Sequence, residues 1–211
     1  AAQGEVTPTE AEIRAKYDEY VADDRGAVEA DANVYVTNEL DGHEMYYVPE
    51  GVRRVRQVLI LLDEETVNAI ALLRGQEYDA AADTLRQQGL AAIQAKGDEV
   101  LDKITSGELT FEEAIARYND DKGAPGEGYA VMTGTDAYKA EFTEAAMALD
   151  AVGSFSALVA TDYGYHIIEY CADVPAGAVP FDSVREALTK ELEQTMASEA
   201  WNALLQQWRG Q

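Results

Sequence analysis

Thr161-Asp162-Tyr163-Gly164-Tyr165-His166-Ile167-Ile168 is the stretch on which the reading of this chain turns. It alternates, it is rich in β-prone residues, and Gly164 marks a turn ahead of the run. It carries one of the chain's two histidines. Ile167 and Ile168 supply apolar packing, whereas a buried imidazole must find a polar partner. A strand is expected over 164–171, preceded by a short one over 157–160, and a helix over 137–149 lies upstream.

Further upstream, a short strand is expected over 129–133. The polar, glycine-rich stretch 119–128 reads as a loop. Thr110-Phe111-Glu112-Glu113 has the form of a capping box and opens a helix through Tyr118. Val52–Leu62 alternates early and is continuously apolar late, as suits a strand running into a buried sheet centre. Asp63-Glu64-Glu65-Thr66 starts a helix, and stripes at Val67, Ile70, Leu73 and then Tyr78, Leu85, Ile93 make 64–106 a helical hairpin or broken long helix. Near the N-terminus, Thr9-Glu10-Ala11-Glu12 is a second capping box, ahead of a helix over 9–23. β-prone patches follow at 34–37 and 44–48. A linker over 173–180 leads to a long C-terminal helix with Asp182 as its N-cap.

The chain has 211 residues, of which 47% are hydrophobic, enough for one large domain or two small ones with a real core. Its 40 acidic residues against 16 basic ones give a net charge of −24. Such a surface repels phosphate backbones, so nucleic acid is not an expected partner. No apolar run is long enough to cross a bilayer, and no signal peptide is visible. The lone Cys171 excludes an intrachain disulfide and reads as a buried, inert thiol. Asp41, His43 and Glu44 lie close together, but no second cluster completes a metal site. No nucleophile triad or phosphate loop appears. Neither metal nor cofactor is expected.

The order of elements from residue 52 does not fit a regular βαβ array and points to an α+β fold. Within it, the block F-T-E-A-A-M-A-L … G-S-F-S … V-A-T-D-Y-G-Y-H-I-I, Phe142 to Ile168, resembles the C-terminal half of a parvulin-type peptidyl-prolyl cis–trans isomerase. The similarity is closest to the extracytoplasmic foldases of Gram-positive bacteria. It implies a parvulin (FKBP-like) fold, a small antiparallel four-stranded sheet flanked by helices. On this reading residues 51–174 are the isomerase domain, enlarged by a helical insert at about 63–107. Residues 1–50 and 175–211 add helices that pack as a separate lobe, their apolar stripes buried together.

The resemblance also implies the site. His166, Thr161 and Asp121 match the family's polar positions, and Gln57 stands where the family has its first histidine. These four are the candidate catalytic residues. Gln57 offers a donor and an acceptor but takes up no proton. Phe142, Tyr138 and Ala130 match positions lining a cup for the proline ring, with Tyr138 and Phe142 four apart on one helix face. Phe142 and Tyr138 read equally as core aromatics, and Asp121 as one acidic loop residue among many; Met147 reads as packing. The turn around Gly128-Tyr129-Ala130-Val131 lacks the family's second glycine. The implied function is isomerisation of X–Pro bonds in unfolded, proline-containing exported polypeptides, without metal or cofactor. The alternative is a weak or inactive relative that only binds unfolded chains. The implied location is extracytoplasmic, with a membrane anchor on the full-length protein as an option.

Overall fold

The computed structural model describes residues 7–209. In chain order they form α1 (Glu10–Ala30), α2 (Asn33–Leu40), β1 (Tyr47–Val48), β2 (Arg53–Leu61), α3 (Glu64–Gly75), α4 (Asp79–Thr105), α5 (Phe111–Tyr118), β3 (Tyr129–Val131), α6 (Ala140–Met147), β4 (Val159–Ala160), β5 (Gly164–Asp173), β6 (Gly177–Ala178) and α7 (Phe181–Arg209). They fall into two compact units. One comprises the chain up to Glu50 together with the part from Ala176 on, and the other is Gly51–Pro175.

The 51–175 unit is built on an antiparallel four-stranded sheet of order β3-β2-β5-β4. Strand β2 is central because it carries apolar side chains on both faces: Val58 and Ile60 point one way, Val55 and Leu59 the other, and all four are buried. Val58, Ile60 and Ile167 pack beneath Val100, Ile104, Phe111 and Ala114 of α4 and α5. On the opposite face Val55, Val131 and Ile168 meet Phe142 and Ala146 of α6. Arg53 ties the end of α6 to β2, its Nη1 donating to the Met147 and Leu149 carbonyls at 2.9 Å each. These carbonyls lack helical partners, so a guanidinium there satisfies them. Helices α3 and α4 form a hairpin around Ile70, Ala82 and Leu90, with Leu62 of the chain after β2. Asp63 caps α3 through the Thr66 amide, and Thr110 with Glu113 closes a capping box on α5.

Two glycines fix the backbone near the site. Gly164 has φ 149°, and a Cβ there would lie 2.1 Å from the Ile60 carbonyl oxygen. Gly128 has φ 83°, and a Cβ would lie 2.5 Å from the Val55 carbonyl oxygen. Both positions require glycine, because β5 and β3 are entered where the chain presses on β2.

In the other unit, α1 follows its capping box at Thr9 and runs to Ala30, past the expected end. Ile13 and Tyr17 of α1 pack with Tyr46, Val184 and Leu188. The Tyr17 hydroxyl donates to the Val179 carbonyl at 2.7 Å. Strands β1 and β6 pair antiparallel, so part of the expected linker 173–180 is structured.

Several local expectations are corrected. Residues 34–37 lie in helix α2, not a strand. Their β-branched propensity gives way to packing of Tyr35 and Val36, and the Thr37 hydroxyl bonds back to the Asn33 and Val34 carbonyls. Asp182 lies inside the first turn of α7 rather than capping it, because Phe181 already packs edge-on against Tyr17 and the Ser183 amide bonds to the Pro180 carbonyl. The stripe of α7 is buried only in its first half: Trp201, Leu204 and Trp208 are exposed. Cys171 is half-buried, not buried; burial, reinforced by Glu169, pushes its thiol upward.

Candidate functional site

The register of the sheet decides which side chains meet. Residues directly opposite each other share a face, so Gln57 lies with Ile168, Leu59 with His166, and Val55 with both Tyr129 and Tyr170. All point toward α6. His166 and Gln57 are therefore diagonal neighbours on one face, and His166 Nδ1 lies 2.6 Å from Gln57 Oε1. The other ring nitrogen, Nε2, lies 2.8 Å from Thr161 Oγ1, just across the turn that Gly164 makes possible. The Tyr163 amide donates to the same oxygen at 3.1 Å.

The loop after α5 completes the polar set. Asn119 Oδ1 accepts from the Leu59 amide at 2.9 Å, and the Asp120 amide donates to the Leu59 carbonyl, so the loop is stitched along β2. This places Asp121 beside Gln57, whose Nε2 donates to Asp121 Oδ2 at 2.8 Å. The Tyr129 hydroxyl donates to that same carboxylate oxygen. Gln57, His166 and Thr161 are all buried, and burial is what makes their mutual satisfaction obligatory.

Burial drives the imidazole of His166 down to about pH 4, against the opposing pull of Asp121 and Glu141. The ring is therefore neutral at ordinary pH. Burial also pushes the Tyr129 phenol upward, and the hydrogen bond to Asp121 adds to this, so the hydroxyl stays a donor.

An aromatic group roofs the polar network. The Phe142 ring stands edge-on to His166 with centroids 5.4 Å apart. Tyr138 lies 5.5 Å from Phe142, and Tyr129 lies 6.3 Å from Phe142 and 5.8 Å from Tyr138. Phe142 is only 4% exposed, so its ring is covered by these neighbours. Tyr138 does not sit on the helix as expected. Lys139 is extended, α6 begins at Ala140, and the Tyr138 hydroxyl donates to the Ala130 carbonyl at 3.0 Å.

The structure thus brings together His166, Gln57, Thr161, Asp121, Phe142 and Tyr138. Ala130 does not join them. It pairs with Arg54, so its side chain points to the sheet face away from Phe142. Tyr129, one residue earlier, takes that place. Strand alternation around Val131 carried the signal, since Tyr129 and Val131 must share a face.

A charged rim lies alongside. Asp162, in the β4–β5 turn, meets Arg74 at 3.1 Å and Lys139 at 3.1 Å. Burial would raise its carboxyl, but bonds from these two cations hold it below the ordinary carboxylate range. Arg86 of α4 pairs with Glu141 at 3.2 Å. Among the described residues no group of three or more His, Cys, Asp or Glu is arranged to hold a metal ion, and His43 is exposed.

Residues 78–172 match the family model described as the PPIC-type PPIASE domain, Rotamase. Among curated proteins the chain is similar to Foldase protein PrsA of Clostridium perfringens, 29% identical over 120 residues that make up 54% of this chain and 35% of that protein. It is similar also to Foldase protein PrsA 3 of Bacillus anthracis, 36% identical over 97 residues, 46% of this chain and 33% of that one. The match therefore spans about a third of the length of these relatives. Among solved structures, the peptidylprolyl isomerase PrsA of Bacillus cereus aligns over 90% of this chain and 69% of its own, at 20% identity and TM-score 0.38.

Proposed function

We propose that this chain, which carries a PPIC-type parvulin domain resembling that of the Gram-positive PrsA foldases, isomerises X–Pro bonds of unfolded polypeptides outside the cytoplasm. The observation that carries the reading is the buried imidazole of His166, held between Thr161 and Gln57 with the Phe142 ring edge-on against it.

The chemistry asks little of such a site. Rotation about a prolyl amide meets a barrier of about 20 kcal/mol, and both isomers are populated, so only the barrier must fall. No bond to the substrate is made or broken. The twisted amide has less charge separation than either planar form, so a dry, apolar surround favours it over the planar states. Phe142 and Tyr138 supply the apolar wall. Gln57, His166, Thr161 and Asp121 form a hydrogen-bonded polar floor beneath that wall. Because Phe142 is covered, Tyr138 or Tyr129 must yield as the pyrrolidine ring enters.

A second reading has its own support. Gln57 in place of a titratable residue and the covered Phe142 ring both favour a domain that grips unfolded chains but turns them over slowly. A protease-coupled assay on short X–Pro peptides separates the two. Rates above buffer, scaling with protein concentration, support the isomerase. Rates equal to buffer, with client aggregation still suppressed, leave the binding module alone.

A further inference from the structure

The hydrogen bonds beneath Phe142 have a direction, and one residue outside the expected set anchors it. An ionised carboxylate only accepts. Asp121 Oδ2 faces both the Gln57 amide and the Tyr129 hydroxyl, so both must donate to it. Its other oxygen accepts from the Gly123 amide at 3.1 Å. With its NH₂ committed to Asp121, Gln57 presents its carbonyl oxygen to His166. His166 Nδ1 must then carry the proton. Nε2 is left as an acceptor and takes the Thr161 hydroxyl, whose oxygen in turn accepts from the Tyr163 amide. Every group from Tyr163 to Tyr129 has one role, and reversing any link sets two acceptors or two donors face to face.

Tyr129 is the end of this run and also part of the apolar wall. Its hydroxyl meets Asp121 while its ring packs edge-on against Phe142 and Tyr138. We infer that Tyr129 is a positioning residue joining the two halves of the site: its hydroxyl anchors Asp121, which through Gln57 fixes His166 as the Nδ1–H tautomer, and its ring sets the stance of Phe142. This inference rests on the isomerase reading for its effect on turnover, but not for its effect on the histidine.

The test uses the full chain labelled with ¹⁵N-histidine. There are two imidazoles to resolve, and His43 is exposed. Two-bond ¹⁵N–¹H correlation spectra report which ring nitrogen carries the proton. The wild type is expected to show His166 as a single Nδ1–H species at neutral pH. Asp121→Ala, which frees the Gln57 amide to turn, is expected to give a mixture of tautomers. Tyr129→Phe keeps the ring, so folding is retained. It is expected to shift the His166 pattern part of the way and to lower kcat roughly tenfold with little change in KM, as for loss of one hydrogen bond to a charged group. An Nε2–H histidine in the wild type, or an unchanged Nδ1–H pattern in Tyr129→Phe, overturns the inference. Tautomer shifts as expected in a chain that never accelerates isomerisation would sustain the network and sink the isomerase reading.

Discussion

Gln57 and His166, 109 residues apart in the chain, meet at 2.6 Å through Oε1 and Nδ1 as diagonal neighbours on adjacent strands. The contact joins an imidazole to an amide. The amide has no proton to gain or lose, so of the two groups in this contact only His166 can change its charge.

Removing that partner should expose its value. Gln57→Ala leaves the His166 Nδ1–H and one Asp121 lone pair unpaired in a buried setting. Urea unfolding should show a loss of about 1–3 kcal/mol. A change within a few tenths of a kcal/mol would mean the network does not bind the sheet together.

Acidification should weaken the fold through the same histidine. The unfolded imidazole takes its proton near 6.5, and the folded one only near 4. Between these values the unfolded chain binds more protons, so stability falls as pH drops through the window. The full effect is about 3 kcal/mol. Chemical denaturation from pH 7 to 4 should show this slope in the wild type and lose that component in His166→Gln. Equal slopes in both would contradict the assignment.

Phe142 should separate turnover from folding. Phe142→Ala empties a buried ring position and should destabilise by about 3–5 kcal/mol. Phe142→Leu fills most of the volume and should stay folded, yet lose about tenfold in isomerisation because the flat wall is gone. Wild-type turnover in a folded Phe142→Leu chain would remove the cup from the account.

Substrate charge should matter, since the Asp121 carboxylate stands in the site through its bond from Gln57 and the whole chain carries −24. Peptides with Glu or Asp before proline should be turned over more slowly than those with Ala or Lys, and added salt should narrow the gap. Lys139, Arg74 and Arg86 are themselves paired with Asp162, Asp79, Asp83 and Glu141. A preference for acidic residues would refute this steering.

Much of the fold could be read from local pattern. The alternation of β2, the capping boxes at Thr9 and Thr110, and the Tyr163-Gly164-Tyr165-His166 turn all act over a few residues, where the physics is short-range. The misreadings came where tertiary packing decides. Residues 34–37 prefer strands in isolation, but burial of Tyr35 and Val36 makes them a helix. Tyr138 fell off the expected helix because Lys139 is extended. Ala130 pairs with Arg54 and faces away from Phe142, while Tyr129 pairs with Val55 and shares its face, a choice that depends on the strand register and not on composition. The tie between Asp121 and Gln57 spans 64 residues, and no local signal announces it.

The central claim is that a proline ring enters beneath Phe142 and its amide turns over beside His166. Exchange spectroscopy on a ¹³C-proline peptide, with catalytic amounts of the full chain, tests it most directly. The account predicts cis–trans exchange peaks absent from peptide alone, together with shift changes at Phe142, Tyr138 and His166 on binding. Peptide bound at those residues with no added exchange, or exchange that persists undiminished in a folded His166→Ala, Phe142→Leu double variant, would contradict it.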